Sequence, residues 1–233
     1  MRINRKFANG FITLMLVVWV LGFAAFKGRD YLQDRASAKA NNERIAANWQ
    51  ELTFGRVPVL GIPTASFKIV EFSDYQCPFC RLADPVLEKF VARHPNDAVV
   101  YRYDMPLRQI HRYAYAASVA ANCAEIQGVR EPYQSLLFQH QKEFATINWT
   151  ALARQGGITN SDSFAQCVRD QMPGDHILKD IAKGESMGIT GAPSFLINGT
   201  LLTEGFSDER LESLYQDTRR KKQGFWRKFL SSQ

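Results

Sequence analysis

The chain has 233 residues, of which 45% are apolar, and a formal net charge of +6. That apolar content supports a packed core and excludes a disordered chain, and the length suits one compact domain with an insertion plus a targeting segment. Much of the positive excess lies at the two ends, Arg2, Arg5 and Lys6 at one and Arg219 to Lys228 at the other. With no zinc finger, RNA-binding signature or basic recognition helix between them, this charge favours a nearby membrane over nucleic acid. The basic, aromatic end from Arg219 reads first as a solvated tail and otherwise as a segment lying on an anionic bilayer.

In chain order, the first feature is an uncharged stretch between Lys6 and Lys27, with Phe11 to Phe26 strongly apolar. Together with Phe7 to Gly10 it approaches the roughly 20 residues that span a bilayer. One reading is a cleaved signal peptide, with Gly22 and Ala24 as small residues before the cut, which leaves a soluble periplasmic product. The other is an uncleaved anchor, which the length of the apolar run favours. Residues 1–28 are then a cytoplasmic tip and membrane anchor, and both readings export the rest of the chain. Lys27, Arg29, Arg35 and Lys39 follow the run and nearly balance the basic residues before it, so charge alone does not orient it. Residues 29–56 read as a polar helical spacer, since Asp30 to Thr53 contains no Pro or Gly.

From Phe67 to Phe72 the pattern is that of a buried strand. Cys77 to about His94 reads as a helix with Leu82, Val86, Leu87, Phe90 and Val91 on one face, and Pro85 should kink it. Ala98 to Tyr103 is a second strand. Between Gln109 and Met187 the period is helical, punctuated by Gly156-Gly157 and Pro173-Gly174. After Gly188, Ser194–Ile197 and Thr200–Thr203 flank Asn198-Gly199, a strong hairpin signal. Ser207 then caps a last helix, and residues 223–233 form a basic tail.

The chemistry-bearing motif is Cys77-Pro-Phe-Cys80, directly after a strand and opening a helix. Cysteines at i and i+3 on a first helical turn place both sulfurs on one side. Unpaired N–H groups and the helix dipole favour a thiolate at the first of them. Pro78 suits the first helical position because it lacks the N–H that would go unpaired. Such a thiolate can attack a disulfide, and the second cysteine can resolve the mixed disulfide. A Cys-x-x-Cys is also half of a zinc site. The remaining cysteines, Cys123 and Cys167, are neither close in sequence nor flanked by His at ligand spacing, so no metal is expected.

Three stretches in order, Glu71 to Cys80, the helical block beginning near His111, and Gly188-Ile-Thr-Gly-Ala-Pro-Ser-Phe-Leu-Ile-Asn-Gly199, resemble the DsbA family of exported thiol:disulfide oxidoreductases. The resemblance implies an α/β thioredoxin fold with an inserted helical domain, here preceded by an N-terminal transmembrane helix. Residues 57–108 would be the first part of the thioredoxin fold, 109–187 the insertion, and 188–222 the second part. It implies that Cys77 is the exposed nucleophile and Cys80 the buried resolving cysteine. Ala192 and Pro193 match the cis-proline loop facing them. Glu71 matches a buried acid able to relay protons to Cys80, an exposed acid at a strand edge being the other reading. The best-known family oxidase has His where this chain has Phe79. Phe79 neither carries charge nor donates a hydrogen bond, which implies a less oxidising protein, with a potential between roughly −120 and −270 mV, the values of DsbA and thioredoxin.

The expected function is membrane-tethered thiol–disulfide exchange with exported, cysteine-containing proteins. The expected location is the inner membrane, with the catalytic domain in the periplasm. A quinone-linked oxidase or a reductase in the membrane would be the redox partner, and no cofactor is expected. The reductase or isomerase direction, and a non-catalytic thioredoxin-like chaperone, are the alternatives. Cys123 and Cys167 read as a structural disulfide tying two inserted helices, or else as two buried thiols; an oxidising compartment favours the bond. The four histidines, His94, His111, His140 and His176, show no ligand spacing and read as structural or exposed.

Overall fold

The computed structural model describes residues 5–202 and 205–231, without the side chains of 5–14, 17 and 225–231. Two compact units divide after Arg44. The first unit is helical and belongs to α1 (Arg5–Asn48). The stretches read separately as anchor and spacer form one continuous helix. Gly22 and Gly28 do not break it, since an isolated Gly costs only about 1 kcal/mol against Ala in a helix interior. Among the described residues, no helix is long and apolar enough to cross a membrane. The expected transmembrane helix is thus not found there, and the side chains of 5–14, which would complete its apolar run, lie outside the description.

The second unit starts at Ile45, earlier than the spacer's expected end at residue 56. The physical reason is burial: Ile45 and Leu52 are fully enclosed and pack in one cluster with Val70, Val99 and Leu196. The short helical turn Trp49–Leu52 carries this contact. Trp49 also lies against the hairpin glycine, where a Cβ on Gly199 would meet the indole at 2.1 Å. Gly199 has φ +83°, so the hairpin needs glycine there both for its backbone and for its space.

The sheet comprises β1 (Leu60–Gly61), β2 (Phe67–Ser73), β3 (Ala98–Asp104), β4 (Ser194–Ile197) and β5 (Thr200–Leu201), in the order β1-β3-β2-β4-β5. β2 and β3 are parallel and the other pairs antiparallel. The parallel pair is joined by α2 (Pro78–Arg93), the crossover such a pair requires. β2 is buried on both faces, which explains its continuous apolar run. Period-2 alternation sends Phe67, Ile69, Ala98 and Val100 to a core shared with Leu87 and Phe90 of α2 and Leu211 and Tyr215 of α8 (Asp208–Ser231). Val70, Phe72, Val99 and Tyr101 face the opposite core.

Between β3 and β4 the chain forms α3 (Ala114–Ile126), α4 (Arg130–Gln139), α5 (Trp149–Gln155), α6 (Ser161–Arg169) and α7 (Gly174–Ser186). Asn148 and Asn160 cap α5 and α6 through their side chains. A disulfide joins Cys123 of α3 to Cys167 of α6 across 44 residues of sequence. Closing a loop of that length stabilises the fold by about 4 kcal/mol in the chain-entropy model. The core of this insertion includes Tyr75, Cys77 and Cys80, so both cysteines sit where the helical layer meets the sheet.

Candidate active site

Cys77 is the N-cap of α2, with extended backbone angles, and Pro78 occupies the first turn. Cys77, expected to be the exposed nucleophile, is only 4% exposed because the Ala192–Pro193 loop and the insertion pack against it, and Cys80 is sealed at 0%; both are free thiols. Hydrogen bonding with the Cys80 thiol, aided by the Cys80 and Phe79 backbone N–H groups, brings the Cys77 thiol down to about 6, against burial and the charge of Asp74. Burial first, and then the same hydrogen bond, pushes Cys80 strongly upward. Two thiols three residues apart are thereby driven in opposite directions, Cys77 downward by hydrogen bonds and Cys80 upward first by burial.

The Ala192–Pro193 peptide is cis, and the Ala192 carbonyl accepts from the Cys77 thiol at 3.4 Å. Phe79 is 70% exposed. With Leu82, Val86, Pro193, Phe195 and Phe206 it lines an open apolar groove of about 440 Å³ beside the thiols.

Glu71 lies behind the pair, fully buried. Its register partner on β3 is Arg102, whose Nε donates to Glu71 Oε2 at 2.7 Å and whose Nη2 donates to Asp84 Oδ1 of α2 at 2.9 Å. Gln134 of α4 donates to the same Asp84 oxygen at 3.1 Å. Burial raises the Glu71 carboxyl against the pull of Arg102, and the Glu71 charge in turn helps to raise Cys80.

The residues named from the sequence, Glu71, Cys77, Pro78, Phe79, Cys80, Ala192 and Pro193, converge at this place, whereas Cys123 and Cys167 form their bond within the insertion. Sequence reasoning missed Arg102, Asp84 and Gln141. Gln141 Nε2 donates to the carbonyls of Tyr75 and Cys77 at 2.7 and 2.9 Å, clamping the loop before α2. An arginine inside an otherwise apolar strand was the available signal for Arg102, since a buried charge needs a partner. Gln141 carried no signal, because its contact depends on how the insertion folds back.

The family model described as Thioredoxin matches residues 54–217. The chain belongs to the thioredoxin family. Its helical insertion between β3 and β4 is the one that the resemblance to the DsbA family implied. The structure of Chlamydia trachomatis DsbA superposes with a TM-score of 0.60 at 17% identity, covering 70% of this chain and 90% of that one. The Bacillus cereus protein "Probable disulfide bond formation protein D" is 23% identical over 88% of this chain and 94% of its own length. The Na(+)/H(+) antiporter NhaA 3 of Salinispora tropica is 28% identical over 141 residues, which is 60% of this chain but only 21% of the antiporter's length.

Proposed function

We propose that this thioredoxin-family chain is a thiol:disulfide oxidoreductase that exchanges disulfides with exported, cysteine-containing proteins. The observation that carries the reading is the divergence of the two thiols: Cys77 lowered to about 6 at a helix N-terminus, Cys80 sealed and raised. In the reducing direction the Cys77 thiolate attacks one sulfur of a substrate disulfide. The substrate S–S bond breaks, a Cys77–substrate disulfide forms, and the other substrate sulfur leaves as a thiolate and takes up a proton. Cys80 then gives up its proton and attacks Cys77, which closes the Cys77–Cys80 disulfide and releases the second substrate thiol. Two electrons pass from the dithiol to the substrate, and the oxidase direction is the same sequence reversed.

In this reading Glu71 takes and returns the Cys80 proton, its buried carboxyl being raised by desolvation and its charge acting on Cys80. Pro78 and Phe79 shape the first turn of α2, and the Ala192–Pro193 loop receives the substrate backbone opposite Cys77. The apolar groove beside Phe79 supports a preference for unfolded or extended segments. Tethering to the inner membrane, with the thiols on the periplasmic side, rests on the uncharged run between Lys6 and Lys27. A membrane quinone-linked oxidase or a reductase would reset the dithiol.

The test is insulin reduction by dithiothreitol with the full chain and with Cys77→Ser. Catalysed turbidity that vanishes in the variant supports an exchanger. Turbidity suppressed equally by both chains would indicate a thioredoxin-like chaperone instead. Carbonate extraction tests the tether, a soluble product beginning near Ala25 being the result against it.

A further inference from the structure

His111 lies in the loop between β3 and α3, outside the Cys-x-x-Cys motif and far from it in sequence. Its Nδ1 is 2.8 Å from Asp74 Oδ2. Asp74 is fully buried. Its Oδ1 accepts from Gln76 N at 2.7 Å, and its Oδ2 accepts also from Leu107 N at 2.8 Å. An ionised carboxylate can only accept, so the proton of this contact sits on Nδ1 and the imidazole is the donor. Among the described residues His111 is the one side-chain donor to Asp74; the other two donors are backbone groups.

Asp74 in turn touches both thiols' surroundings. Its N–H donates to Cys80 Sγ at 3.4 Å, and its carbonyl accepts from Cys77 N at 3.0 Å. Its negative charge opposes ionisation of Cys77. The neighbouring Gln76 accepts from Tyr113 N at 2.7 Å, which ties the same two loops together again, beside the Leu107 and His111 contacts. Phe79 leaves the motif itself without a side chain that could offset the Asp74 charge.

We propose that His111 is a positioning residue of the thiol–disulfide site, holding Asp74 and offsetting its charge so that the thiolate of Cys77 is favoured from a loop outside the motif. The inference rests on the exchange function proposed above and adds the group that sets the site's poise. An imidazole N–H turned toward a buried carboxylate draws its charge away from the sulfur. Without it the carboxylate acts on Cys77 less compensated, and the loop loses one of three hydrogen bonds to the segment before α3, those from Leu107 N and Tyr113 N remaining.

The experiment measures Cys77 ionisation by thiolate absorbance against pH, and the potential by equilibrium with glutathione, in the full chain and three variants. His111→Ala should raise the Cys77 pKa by roughly half to one unit. At about 30 mV per tenfold change in equilibrium constant, the potential should fall by roughly 15 to 30 mV. His111→Gln, whose amide N–H can still donate, should restore most of the wild-type value. Asp74→Asn should move Cys77 the opposite way. A folded His111→Ala chain with unchanged pKa and potential would overturn the proposal, as would a Gln variant that behaves like the Ala variant. Should the variants not fold, the unsubstituted chain gives the answer: ring 15N signals of His111 should move when the Cys77–Cys80 pair is reduced, and static signals would overturn the proposal equally. A wild-type chain with a normal dithiol couple but no insulin reduction would count against the exchange function alone, since the pKa comparison reads independently of it.

Discussion

Arg102 on β3 stands directly opposite Glu71 on β2, and its guanidinium also reaches Asp84 on α2, so that one buried cation is shared by two buried carboxylates. The parallel register makes this possible. Both residues fall on the alternation that carries the apolar Phe67, Ile69, Ala98 and Val100 toward α2. The network lies beneath Cys80 and ties the sheet to the helix that carries the thiols.

Removing the shared cation should be expensive. Arg102→Met leaves Glu71 and Asp84 buried without a counter-charge, a class of change that costs about 3–5 kcal/mol. Glu71, already raised by burial, would rise further. A carboxyl whose folded pKa is raised adds stability below its unfolded pKa of about 4.3 and loses it as pH rises through the folded value. The deficit of Arg102→Met should therefore be larger at pH 7.5 than at pH 4.5. Urea unfolding at the two pH values checks this, and an equal deficit at both would count against it.

The Cys77 thiol makes the reduced protein's stability depend on pH with the opposite sign. Its folded pKa lies near 6, below the unfolded thiol at about 8.5. Such a group adds stability above its unfolded pKa and loses it as pH falls through the folded one. Cys80 is raised instead, so its opposing effect begins only above about pH 8.5, the unfolded value. Between pH 6 and pH 8 the reduced chain should gain roughly 1–3 kcal/mol over Cys77→Ala. Denaturant titrations of both chains under reducing conditions measure the gain. A difference that stays flat with pH would mean that Cys77 is not ionised in this range.

Exchange roles can be separated by trapping. Cys80→Ser should accumulate mixed disulfides with substrate proteins, because attack by Cys77 survives and resolution does not. Cys77→Ser should accumulate none. Non-reducing gels of cells carrying each variant show the adducts, and the reverse pattern would invert the roles of the two cysteines.

Phe79→His tests what the residue between the cysteines controls. A histidine on the first turn of α2 can lend the Cys77 thiolate a charge or a hydrogen bond, and the reduced form should gain. A pKa lowered by one unit corresponds to about 1.4 kcal/mol, or about 30 mV in the oxidising direction. Phe79 is largely exposed and lines the apolar groove, so the same change should weaken binding of an apolar peptide. Thiolate absorbance and glutathione equilibrium report the first effect, and peptide titration reports the second. If only the second appears, Phe79 is a substrate contact and the redox poise is set elsewhere.

Local chemistry was legible in the residues themselves. Short apolar runs marked Phe67–Phe72 and Ala98–Tyr103 as strands, Asn198-Gly199 marked the hairpin, and the i, i+3 spacing placed Cys77 and Cys80 on one helical turn. Each of these signals depends on neighbours within a few positions, whereas the thioredoxin-like α/β fold with a helical insertion was implied by the resemblance of Glu71 to Cys80, the helical block and Gly188 to Gly199 to the DsbA family. What decided the environment of the thiols is not local. Arg102 meets Glu71 only through the strand register, and Asp84 meets Gln134 only because α4 packs on α2. His111 meets Asp74 only because the loop after β3 returns beside the loop before α2, and Ile45 and Leu52 join the main body only because the sheet offers them an apolar face. A charge or a polar donor in a sequence carries no label for its partner. Desolvation makes such a partner necessary, and the tertiary packing alone determines which residue serves.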